Sequence, residues 1–261
     1  MNQTHPGNIV NPNETSIVMV SATTPPLVNT QGYFNELSVL TQVDIFQKSS
    51  YIDYLCYCTQ NMYEVHHPGK QKQILYELRE KSDCCERCCT FACRGFEMKI
   101  NNNVSPKNAY SVIMEGSKPC ALPCLYGCGC GKPDLLVNVK DPVGFHLGKA
   151  KLNYDSCCCA ICENRIDIID KSGQLRYFIK PNCFCIGCAC QKFAKCCEVL
   201  YHIYRNNSKV GEVRKLFCNG IRIFCTKADN YTIDFPQDAT PEEKMLLIIG
   251  VILLDYLSFY N

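Results

Sequence analysis

Hydrophobic and polar positions change rhythm twice along this chain. From Met62 to Phe235 the apolar positions fall in short stretches separated by turn sequences. Met62 to Val65 and Ile74 to Leu78 flank His67-Pro68-Gly69-Lys70. Arg165 to Ile169 alternates polar residues with Ile, and Asp170-Lys171-Ser172-Gly173 separates it from Leu175 to Ile179. Val199 to Tyr204 and Val210 to Leu216 flank Arg205-Asn206-Asn207-Ser208. Gly, Asn and Asp tolerate the backbone of tight turns, so these segments predict β-hairpins. Phe96 to Ile100, Leu135 to Val139 and Ile221 to Phe224 read as further strands. About ten to twelve strands at regular spacing predict an antiparallel barrel or sandwich.

The flanks differ. Residues 1–30 are rich in Asn, Thr and Pro and predict a short disordered arm, leaving 31–261 as the folded domain. Phe34, Leu37 and Leu40 step by three, which suits a docked helical turn. Ile45, Phe46, Ile52, Leu55 and Tyr57 follow without a clear period, so helix and strand are not separable there. At the other end Thr240-Pro241-Glu242-Glu243 is a helix start, with Thr at the N-cap, Pro at the first helical position and Glu closing a capping box. The helix predicted over 241–260 carries a continuous apolar run, Met245 to Leu254, interrupted by Asp255. It is hydrophobic on every face and must be surrounded by apolar matter. The segment from Met245 to Tyr260 is 16 residues, roughly 24 Å at 1.5 Å per residue, which falls short of a bilayer core of roughly 30 Å. A core helix enclosed by the strands is therefore expected in preference to a full span.

Composition adds one abnormal number. The chain has 261 residues, 20% charged and 47% apolar, with a formal net charge of +2. That balance excludes wholesale disorder and gives no charge excess pointing to nucleic acid. Cys accounts for 23 residues. The N-terminus lacks the basic and apolar regions of a secretory signal, so a cytosolic origin with mostly reduced thiols is expected. The cysteines cluster. Cys85 and Cys88, Cys159 and Cys162, and Cys185 and Cys188 have the two-residue spacing of zinc knuckles and are candidate zinc thiolates. Cys120, Cys124, Cys128 and Cys130 lie near Leu122, Leu125 and Tyr126, a context that also suits S-acylation at a membrane surface. Simple filling of tight turns by small, burial-prone residues fits as well. No hydrolase, metalloprotease or kinase motif is present, and Gly127 to Lys132 fails as a phosphate loop because Pro133 stands where a helix should start. An enzyme with covalent chemistry is not expected.

Several segments resemble the phospholipid scramblases. Pro25-Pro26 with Leu37, Leu40 and Gln42-Val43-Asp44 is similar to that family's entry segment, and Met62-Tyr63-Glu64-Val65 to its first strand. Asp83-Cys84-Cys85-Glu86-Arg87-Cys88-Cys89, Gly95 to Ile100, Ala228 to Pro236 and Lys244 to Gly250 with Leu254-Asp255-Tyr256 resemble later motifs. The resemblance runs from about Pro25 to Asn261. It implies a tubby-like fold, a closed antiparallel β-barrel of twelve strands around a central hydrophobic C-terminal helix. It also implies a membrane-associated lipid translocator at the cytoplasmic face of the plasma membrane, moving phospholipids in both directions without covalent chemistry.

Calcium responsiveness and palmitoylation at Cys120, Cys124, Cys128 and Cys130 are further implications of the resemblance. The matching calcium positions are Asp229, Tyr231, Ile233, Phe235 and Asp238, with Lys227 where the family has an acid. A hard cation prefers about six oxygen ligands, so a leading Lys weakens this site. Two other expectations stand beside transport. One is an acyl-anchored, non-transporting adaptor that binds protein partners through its N-terminal arm. The other is a zinc-stabilised intracellular β domain.

Overall fold

In the computed structural model, the described residues are 34–48, 60–81, 96–104, 112–117, 136–140, 144, 146–154, 164–182, 199–216 and 230–258. They form a helical turn, twelve strands and one long helix. The turn α1 is Asn35–Ser38. The strands are β1 (Gln42–Lys48), β2 (Met62–His67), β3 (Lys70–Lys81), β4 (Phe96–Asn102), β5 (Val112–Ser117) and β6 (Leu136–Lys140). They continue as β7 (His146–Tyr154), β8 (Asn164–Asp170), β9 (Leu175–Pro181), β10 (Val199–Arg205), β11 (Ser208–Leu216) and β12 (Asn230–Asp234). The helix α2 is Pro241–Ser258.

All pairing is antiparallel and follows chain order from β2 to β12. β1 pairs with both β2 and β12, so the ladder closes into a barrel. The turns behave as their residues require. Gly69 and Gly173 take positive φ at the β2–β3 and β8–β9 hairpins, and Asn206 and Asn207 do so between β10 and β11. Asp170 Oδ1 accepts from the backbone N–H groups of Ser172 and Gln174, which holds the β8–β9 turn. The predicted β2, β3, β4, β6, β8, β9, β10 and β11 are all present. Ile221 to Phe224 lies outside the described residues.

The strands bury one face around α2. Val43 and Ile45, Val137 and Val139, Ile166 and Ile168, and Ile203 all lose nearly all solvent exposure. So does α2 from Met245 to Leu254, on every side. The expected core helix is thus the filling of the barrel. The capping box forms as well: Thr240 N–H donates to Glu243 Oε2 at 3.0 Å, and Glu243 N–H donates to Thr240 Oγ1 at 3.3 Å. Two glycines let helix and wall approach. A Cβ on Gly250 would meet Ile168 Cδ1 at 2.7 Å, and one on Gly148 would meet Leu246 Cδ1 at 2.6 Å and the Ile169 carbonyl oxygen at 2.7 Å. No helix among the described residues is long and apolar enough to cross a membrane.

Candidate functional site

The distinctive chemistry of the fold lies at the two ends of α2, where polar groups enter an apolar barrel. Asp255 is 0% exposed. Tyr63 Oη, from β2, donates to its Oδ2 at 2.5 Å, and Tyr231 Oη, from β12, donates to its Oδ1 at 2.9 Å. β2 and β12 both flank β1, so closure of the ladder brings these phenols to one carboxyl group. The network continues outward. Gln47 Nε2 lies 3.5 Å from Tyr63 Oη and 3.4 Å from Asn61 Oδ1, and Asn61 Nδ2 donates to Glu80 Oε2 at 2.7 Å. Hydrogen bonds from hydroxyls are what a buried carboxyl group needs in place of water.

The N-terminal end of α2 is held by charge. Glu243 accepts from Arg176 Nε at 2.6 Å and from Tyr177 Oη at 3.1 Å. Burial first, then the neighbouring Glu243 carboxylate, pushes the Tyr177 phenol up to about 12. Arg205 donates to Tyr177 Oη and to Asp238. Lys244 is buried and donates from Nζ to the carbonyls of Leu37 and Leu40, each at 2.8 Å, and of Ser38 at 3.2 Å. Desolvation lowers its pKa. These carbonyls belong to α1 and the residues after it, so one ammonium group ties the start of the domain to the helix inside it.

A second cluster sits on the outer face of β1 and β2. Glu64 Oε2 lies 3.0 Å from Lys48 Nζ and 2.9 Å from His66 Nε2. Burial acts to raise the Glu64 carboxyl, but hydrogen bonds and charge from Lys48 and His66 outweigh it, and its pKa falls. No Ser or Cys nucleophile joins this pair among the described residues. The arrangement is an ion-pair cluster rather than a nucleophile–base set.

The family model for scramblases matches residues 20–261. The chain belongs to the scramblase family. It is 25% identical to phospholipid scramblase 2 of Bos taurus over 264 residues, covering 98% of this chain and 78% of that protein. It is 26% identical to phospholipid scramblase 1 of Homo sapiens over 241 residues, covering 90% of this chain and 68% of that protein. No solved structure matches it.

In this scramblase-family chain the calcium positions fall as follows. Asp229 and Lys227 lie outside the described residues. Tyr231 and Ile233 point into the barrel from β12, and Phe235 is buried just beyond it. The Asp238 side chain is 67% exposed and is bonded to Arg205, whose hydrogen bond holds the carboxyl below its usual range. The structure does not bring Tyr231 and Asp238 together, because the first reaches Asp255 in the core and the second lies at the surface. Among the described residues no three His, Cys, Asp or Glu side chains are placed to hold a metal. Cys85, Cys88, Cys120, Cys124, Cys128, Cys130, Cys159, Cys162, Cys185 and Cys188 lie outside the described residues.

Sequence reasoning singled out Asp255 but not its partners. A lone acid inside a greasy helix calls for donors, and the Tyr residues on the inward positions of predicted strands were the available signal. Lys244 carried no such signal, because its acceptors are backbone carbonyls.

Proposed function

We propose that this chain is a membrane-associated phospholipid scramblase that moves phospholipids in both directions between leaflets. The observation that carries the reading is the family match over residues 20–261. The names of the relatives on either side of it supply the substrate class. Moving a headgroup through hydrocarbon requires a lowered polar barrier and no bond making. In this reading the protein works as a tubby-like closed barrel, with α2 as its core, at the cytoplasmic face of the plasma membrane. Acylation at Cys120, Cys124, Cys128 and Cys130 anchors it, since two or more acyl chains give stable attachment where one does not.

The calcium response enters the proposal through Asp229 and Asp238. Binding at Asp238 must displace Arg205, which predicts a weak site. The test is reconstitution in liposomes with fluorescent phospholipid in both leaflets. Flipping above that of protein-free vesicles is expected. No flipping at any calcium concentration overturns the transport reading, and flipping indifferent to calcium removes only the calcium part.

Enclosure of α2 favours a second reading, an acyl-anchored adaptor of the same fold that meets protein partners through its arm at residues 1–30. Hydroxylamine-sensitive membrane association without flipping is its signature. A zinc-stabilised domain is the third reading, and elemental analysis with less than half an equivalent of zinc eliminates it.

A further inference from the structure

A calcium loop gathers the oxygens of one segment around a cation. The segment between β12 and α2, residues 235–240, is already gathered, and by other means. Asp238, at its exposed tip, is bonded to Arg205 at the end of β10. Arg205 also donates to Tyr177 Oη of β9. Tyr177 Oη donates in turn to Glu243 Oε2 of α2 at 3.1 Å, and the same oxygen accepts from Thr240 N–H at 3.0 Å. Thr240 follows Asp238 by two residues, so the path Asp238, Arg205, Tyr177, Glu243, Thr240 closes on itself. Within it, buried Ala239 donates its N–H to the Pro236 carbonyl at 3.2 Å.

Arg205 is built for this position. Its planar fork serves two partners at once, Nη1 on Asp238 and Nη2 on Tyr177, which a lysine ammonium does poorly. The Tyr177 ring lies 4.6 Å beneath the guanidinium carbon and holds the plane of the group. Arg205 Nε is buried with no hydrogen-bond partner among the described residues, a cost that the contacts of the other nitrogens must outweigh. The residues matched to the family's calcium positions do not form a cation site around it. Tyr231 and Phe235 turn into the core, Asp238 is taken by Arg205, and Lys stands at 227 where the family has an acid.

We infer that Arg205 is the resident cation of the segment between β12 and α2. It holds, without calcium, the arrangement that a bound ion would otherwise impose, and a divalent cation meets it as a competitor for Asp238. The choice of Asp238 as the contested group rests on the calcium part of the transport reading; the network itself rests on the contacts among β9, β10 and α2. The start of the core helix is thereby set by a side chain of the wall, whatever the calcium concentration.

The experiment is amide hydrogen exchange of the full chain, in a calcium chelator and in added calcium. The amides of Ala239, Thr240 and Glu243 should be protected in chelator, and calcium should add nothing. R205Q should exchange at these amides roughly tenfold faster, the loss of one charge-assisted hydrogen bond, while β8 keeps the parent's rates. D238N should match it, and R205Q/D238N should be no faster than either, because both changes break one pair. K209Q removes a neighbouring cation paired instead with Glu212 and should exchange as the parent does. If R205Q does not fold, judged by circular dichroism, R205K keeps the charge without the fork and should also speed exchange. Unchanged exchange in the Arg205 variants, or equal acceleration in β8, overturns the proposal. Protection that appears only when calcium is added overturns it as well and supports the calcium part of the transport reading. Absence of flipping together with protection that depends on Arg205 in chelator keeps the resident cation and removes the transport reading.

Discussion

Asp255 shows how one residue can define what surrounds it. A carboxyl group with no solvent exposure costs several kcal/mol unless donors replace water. Tyr63 and Tyr231 supply two of them. Tyr63→Phe and Tyr231→Phe should each cost about 1.5–3 kcal/mol. Because both meet one carboxyl group, the double variant should depart from additivity by about 0.5 kcal/mol or more. Urea unfolding of the two single variants and the double variant measures both quantities. Tyr177 makes a prediction in pH. Its folded pKa of about 12 lies above the ordinary 10.0. The folded form therefore holds its proton more tightly, and this contribution is complete below the ordinary value. Stability should fall as pH rises through that interval, and Tyr177→Phe should flatten the fall. Unfolding midpoints across the alkaline range provide the check.

At the level of elements, legibility tracked the inward-facing residues. Hairpins with Ile, Val and Tyr on one face and Asn or Gly in the turn could be read directly, as in β8–β9 and β10–β11. β1 could not, because its inward set of Val43, Ile45 and Gln47 ends in a polar residue that serves the network around Tyr63. β7 escaped notice for another reason. Its inward residues include Gly148 and Ala150, kept small where α2 comes close, so no alternation of bulky residues was visible. The α2 capping box and its apolar run were plain, whereas the tie from Lys244 to α1 was not, since backbone acceptors leave no mark in a sequence. The same close packing yields a prediction. Gly148→Ala places a methyl group against the backbone oxygen of Ile169, which cannot swing aside as a side chain can. A loss of about 1–3 kcal/mol is expected. Gly250→Ala should cost less, because flexible Ile side chains are its neighbours and alanine favours the helix by about 1 kcal/mol. Thermal melts of the two variants should rank them in that order.

For the whole molecule, the decisive relation is between wall and filling. Residues on the inward faces of strands around the barrel are buried, and α2 is the long helix within it. A chain ending at Ala239 should keep strand-forming segments but lose their common core. It should bind a hydrophobic dye and lack a cooperative thermal transition. A cooperative melt near that of the full chain would show that the sheet holds without its filling. The family and the barrel architecture were legible because both are written in long-range patterns of turns, apolar runs and motifs.

The bond from Lys244 to the carbonyls of residues 37, 38 and 40 also bears on how the protein is made. A ribosome delivers the first turn and every strand before it delivers the helix that they enclose. Until then the nascent sheet has greasy inner surfaces with nothing to cover them, the state in which chains aggregate or recruit chaperones. Closure of the barrel around its core thus waits on α2, which follows α1 and all twelve described strands in chain order.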